Sequence, residues 1–118
     1  MLTDAAEGRS HPFHVRQGDV LLVEVARVPE TARQVARDRG RVVLAYGEAT
    51  GHAHAIRSSV AVQLRDADER YLRVASPVVL EHEEHGPITV PEGAYRIVIQ
   101  REYVPAPVAS ASWRRVID

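Results

Sequence analysis

The chain has 118 residues, a formal net charge of -1, and a composition that is 45% hydrophobic but only 5% aromatic, which suits one domain and argues against a dedicated nucleic-acid or anionic-membrane surface. It contains no Cys and no Lys, so disulfides, thiolate nucleophiles, Cys-based metal sites, Schiff-base chemistry and a P-loop lysine are excluded. What remains for chemistry is six His, 16 acids, four Tyr and a few hydroxyls, acting alone or around a bound metal.

Residues 1–12 (MLTDAAEGRSHP) show no apolar periodicity and are expected to form a flexible N-terminal arm ahead of a single β domain, 13–118. The arm lacks the apolar stretch of a signal peptide. No run in the chain approaches the roughly 20 apolar residues of a membrane span, so the sequence predicts a soluble, cytoplasmic protein with no membrane partner.

From Phe13 onward the signal is β, since Val and Ile contribute 23 residues suited to pleated, half-buried surfaces. Residues 20–28 read as a strand, with Leu21, Val23 and Val25 on one parity and Val20, Leu22 and Glu24 on the other. Residues 30–39 (ETARQVARDR) are the one helix candidate, with Thr31 as cap, Val35 as the lone large apolar residue and Gly40 as stop. Strands follow at 41–46, 52–57, 60–65, 70–75 and 78–82, separated by Gly, Ser, Asp and Pro. Residues 88–90 lead through Pro91-Glu92-Gly93 into a long alternating strand, 94–104, which Pro105 and Pro107 end, and 110–118 adds an edge strand. Short strands with turns about every eight to twelve residues predict an all-β fold, a small antiparallel sandwich or barrel with one short helix.

Four histidines fall in two pairs, His52-Ala53-His54 and His82-Glu83-Glu84-His85. Residues two apart on a strand point to the same side, about 6.5 Å apart at Cα, so His52 and His54 project together. Ile56 shares their parity and favours the interior. Val78 and Leu80 carry His82 inward in the same way, and Glu84 too if the strand persists. His85 has the wrong parity and joins the others only if the chain turns at Gly86-Pro87. Three imidazoles and a carboxylate at the mouth of a small barrel suit a divalent transition metal such as Zn, Fe, Mn or Ni. The predicted ligands are His52, His54 and His82, with His85 or Glu84 as a fourth. His11 and His14, flanking Pro12-Phe13 at the arm, are read as incidental.

Gly47, His52 and His54, followed by the Pro91-Glu92-Gly93 turn, resemble the two motifs of the cupin superfamily. The resemblance implies a double-stranded β-helix barrel able to carry a metal, and nothing about substrate. This sequence departs from the pattern in three ways: no Glu lies in 56–60, Arg96 stands three residues after Gly93 where the family has His, and the second His pair precedes the turn. On that resemblance, His82 or His85 replaces the missing third ligand. GEATGHAH, HEEHGPI and QREY together also look like the signature of a small bacterial or phage family of unknown function.

On the last long strand, Tyr95, Ile97, Ile99, Arg101 and Tyr103 share one parity, and Arg96, Gln100 and Glu102 the other. Arg101 is a candidate clamp for a carboxylate or phosphate, or the partner of Glu102, Glu48 or Glu84. Trp113 is expected to pack against the barrel or a second subunit.

Three functions compete. The leading one is a metal-binding β-barrel, with catalytic candidates His52, His54, His82, His85 and Arg101 if it is an enzyme acting on a small polar substrate. The second is metal-independent acid/base cleavage of RNA by the histidines, with Arg96 or Arg101 holding phosphate. The third is a non-enzymatic assembly or adaptor domain, in which Val-rich edges favour a homodimer.

Overall fold

The computed structural model describes residues 13–47 and 51–100. In these, ten strands follow one another: β1 (His14–Gln17), β2 (Val20–Val25), β3 (Arg33–Gln34), β4 (Val42–Tyr46), β5 (Ala53–Ile56), β6 (Ala61–Asp66), β7 (Glu69–Val74), β8 (Val78–Leu80), β9 (Ile88–Val90) and β10 (Gly93–Ile99). Every pairing is antiparallel. The all-β expectation is met.

One sheet runs in the order β1-β2-β10-β7-β6-β3. The pairs β4-β5 and β8-β9 make a second layer, joined where Ala55 and Glu81 exchange backbone hydrogen bonds of 3.0 and 2.9 Å. A single apolar core draws on both layers. Val20, Leu22, Leu72, Val74, Tyr95 and Ile97 come from the large sheet, and Val42, Leu44, Ile56, Val78, Leu80 and Val90 from the second layer. Each fully buried aliphatic side chain contributes about 1.5–3 kcal/mol. Tyr95 is admitted to this core because its hydroxyl donates to Pro91 O at 2.7 Å, so its own polar atom is paired. On β2 the parity of Val20 and Leu22 faces the core, while Leu21, Val23 and Val25 are only half-buried.

Residues 30–39 do not form the expected helix. Arg33 and Gln34 instead add β3 to the edge of β6, opposite Arg65 and Leu64, and Val35 N–H donates to Gln63 O at 2.7 Å. Thr31 donates its hydroxyl to Asp66 rather than capping a helix, and Arg39 sits at φ 55 in the two-residue turn that the Asp38–Arg41 bridge closes. The reason is physical: a ten-residue segment with one large apolar side chain has no stripe to bury and little intrinsic helicity, whereas an open sheet edge offers backbone partners. Strand 94–104 is seen as far as Ile99. The arm at 1–12, Glu48, Arg101, Glu102, Tyr103, Trp113 and the edge strand at 110–118 lie outside the described residues. Among the described residues no helix is long and apolar enough to cross a membrane.

Candidate metal centre

The tight β1–β2 hairpin pairs Gln17 with Val20, so Gly18 and Asp19 alone make the turn. Gly18 takes φ +58, as a type II′ turn requires at its first central position, where glycine has no Cβ to clash. This turn reaches over the start of β5 and the end of β8, where the two histidine pairs converge.

His54 lies on β5 and is 3% exposed. The Ala55–Glu81 bridge holds the end of β8 against β5, which brings His82 beside it with ring centroids 4.2 Å apart. The chain then turns. His82 Nδ1 accepts from the backbone N–H groups of Glu84, at 3.0 Å, and His85, at 3.4 Å. That turn resolves the parity problem: the His85 ring lies 4.7 Å from His82 and stacks on His54 at 5.7 Å. His52 meets His82 edge-on at 5.7 Å. The four histidines therefore meet, in two overlapping sets whose ligating atoms lie within 4.8 Å of one another: His54, His82 and His85, and His52, His82 and Glu83.

Gln17 fixes the chemistry of His54. Buried at 3% exposure, it donates from Nε2 to Leu80 O at 2.9 Å and to Gly86 O at 3.0 Å. Two carbonyls can be satisfied only by the amide NH2, so Oε1 is the atom that faces His54 Nδ1 at 2.8 Å. Nδ1 must then donate, and the lone pair of His54 sits on Nε2. Asp19 Oδ1 lies 3.5 Å from that Nε2. A proton or a metal ion placed between that carboxylate oxygen and the imidazole lone pair would be favoured by both. Burial, with the nearby His82, pulls the His54 pKa below its ordinary 6.5 against the opposing pull of Asp19, which favours the neutral ring a metal needs.

His82 is arranged differently. Because its Nδ1 accepts, the neutral ring carries its proton on Nε2. Ligation through either nitrogen therefore requires the 82–85 turn to give up these hydrogen bonds or the ring to lose a proton. Glu83 Oε1 accepts Ala53 N–H at 2.9 Å, and this bond, with one from its own backbone, holds the carboxyl below the usual range. Glu84, exposed, lies 3.7 Å from His52, and Glu81 pairs with Arg57 at 3.1 Å.

Two glycines make room. A Cβ on Gly18 would stand 2.6 Å from His85 Nε2, and one on Gly47 would stand 2.9 Å from His52 Cβ. Gly47 N–H also donates to His52 O at 2.8 Å, closing the loop that presents the first histidine pair.

Of the residues expected from sequence, His52, His54, His82 and His85 are together, and Glu84 reaches only His52. Arg96 is 3.9 Å from Glu69 rather than at the histidines. Gln17, Asp19 and Glu83 escape the sequence pattern. The one cue was Gln17-Gly18-Asp19, a hairpin signal ahead of Val20, and it carries no register linking it to His54.

The chain belongs to the family described as Domain of unknown function (DUF8820), which matches residues 16–100 and so takes in the Gln17–Asp19 turn and both histidine pairs. No curated protein and no solved structure matches it significantly.

Proposed function

We propose that this domain binds one divalent transition metal through His54, His82 and His85, with Asp19 as the adjoining carboxylate. The observation that carries the reading is the Gln17 amide, which holds His54 as a neutral ring with its Nε2 lone pair turned toward Asp19 and the other imidazoles. A histidine whose second ring nitrogen donates to a fixed acceptor is the usual arrangement of a metal ligand. Imidazole and carboxylate together suit Zn, Fe, Mn or Ni, and an open coordination position would let the metal activate water or polarise a small polar substrate. His52 and Glu83 form the outer set and share His82 with the inner one.

The test is elemental analysis of tag-free full-length protein, with melting curves before and after chelation. About one metal ion per chain, and a lower melting temperature on its removal, is expected. No metal, with no shift when Zn, Ni, Mn or Fe is added, overturns the reading. Chelator-insensitive RNA cleavage that disappears in His54→Ala would replace it with metal-free acid/base chemistry.

A further inference from the structure

The strand registers put a second polar feature at the same end of the large sheet, on its opposite flank. Ile97 pairs with Arg70, Arg70 with Arg65, and Arg65 with Arg33, so the row that begins in the core ends in three arginines, the outer two exposed. The parity that buries Leu72 and Val74 turns Arg70 inward as well. Its Nε and Nη2 donate to Gln63 Oε1 at 3.1 and 2.7 Å, and Nη2 also donates to Leu44 O. Gln63 is 4% exposed and anchored by donating to Val43 O at 3.1 Å.

Every one of these acceptors is neutral. Among the described residues no carboxylate lies within ion-pairing distance of Arg70, and none accepts from its Nη1. Burial and the like charge of Arg65 pull its pKa below the ordinary value, consistent with a cation that has no counter-ion among the described residues. The guanidinium borders a cavity of about 280 Å³ whose other wall is Val35, Ala36 and Val43. Asp38 also lines the cavity and accepts the Tyr46 hydroxyl while remaining a carboxylate, so the lining sets the two guanidiniums of Arg65 and Arg70 against one negative charge.

We propose that this cavity binds a small organic carboxylate, its carboxyl group on Arg70 and Arg65 and its short apolar body against Val35, Ala36 and Val43. With Nε and Nη2 spent on Gln63 and Leu44, Nη1 is the group of Arg70 left to donate to a carboxylate oxygen beside the Arg65 cation, and the apolar wall selects against a bare inorganic anion.

The experiment is an amide NMR titration of the full-length chain with isobutyrate, compared with isobutyramide and inorganic phosphate. Saturable shifts confined to residues around Val35, Val43 and Arg70 are expected with isobutyrate at millimolar concentration. Isobutyramide and phosphate should bind at least about tenfold more weakly, since each lacks one half of the match. Arg70→Gln should weaken isobutyrate by about tenfold, and Arg65→Ala, an exposed position that leaves the fold intact, by a smaller factor. Absence of saturable shifts, equal binding of phosphate or the amide, or isobutyrate affinity unchanged in Arg65→Ala overturns the proposal.

Discussion

The two halves of the histidine centre are built on different principles. His54 sits within a strand, buried, with its tautomer dictated by a glutamine that is itself pinned by two carbonyls. His82 and His85 sit on a turn that His82 itself stabilises, and His85 is exposed. The strand half is preorganised and loses little freedom when a ligand arrives. The turn half would have to exchange its own hydrogen bonds, or lose a ring proton, to ligate. If the centre holds a metal as proposed, a rigid ligand beside adaptable ones would set its position without fixing coordination number in advance.

The largest effect is expected from His54→Ala, which removes the preorganised ligand. Zinc binding measured by calorimetry should fall by more than the 10–100-fold typical of losing an outer-shell partner. Gln17→Ala comes next. It leaves His54 unoriented and the Leu80 and Gly86 carbonyls unpaired, so metal affinity should drop about 10–100-fold and stability by about 1–3 kcal/mol in denaturant titration. If Gln17→Ala leaves affinity unchanged, the strand half is no more preorganised than the turn half.

Gly18→Ala probes the turn half. The strained positive φ should cost about 1 kcal/mol, and the contact with His85 should weaken zinc binding, though less than Gln17→Ala does because His85 can shift. Gly40→Ala is the control, with φ +79 but nothing within 4 Å of the added Cβ; it should lose similar stability with no change in affinity.

A pH series probes the strand half directly. Because the folded-state pKa of His54 is depressed, the unfolded chain takes up a proton more readily below 6.5. Stability of the metal-free protein should therefore hold above that pH and decline as the pH falls below it, with a shallower decline in His54→Gln. The smallest effect belongs to His52→Ala: its carboxylate partner is exposed Glu84, so stability should change by no more than about 0.5 kcal/mol and affinity at the inner set should persist. A large loss of affinity in His52→Ala would move the metal to the outer set.

Much of this molecule is legible in the chain. The strands at 41–46, 60–65, 70–75, 78–82 and 88–90 are found within a residue or two, because alternation and Gly, Ser and Pro punctuation are local signals. The convergence of His52, His54 and His82 is foreshadowed by their shared parity with Ile56, Val78 and Leu80, whereas His85 joins them only through the turn. The helix at 30–39 fails for a different reason: cap and stop residues mark where a helix can begin and end, and say nothing about the β6 edge that competes for the same backbone.

By itself, then, the sequence determined the all-β class, the inward lean of His54 and His82, and the exclusion of thiolate and amine chemistry, because each depends on composition or on a period of two along one strand. Only the tertiary structure decided the rest. Gln17 meets His54 across 37 positions of chain, Asp19 arrives through a hairpin turn, and Arg70 turns inward among neutral acceptors. Those relations are set by which strands pair and in what register, and register arises from the packing of the whole core rather than from any one segment.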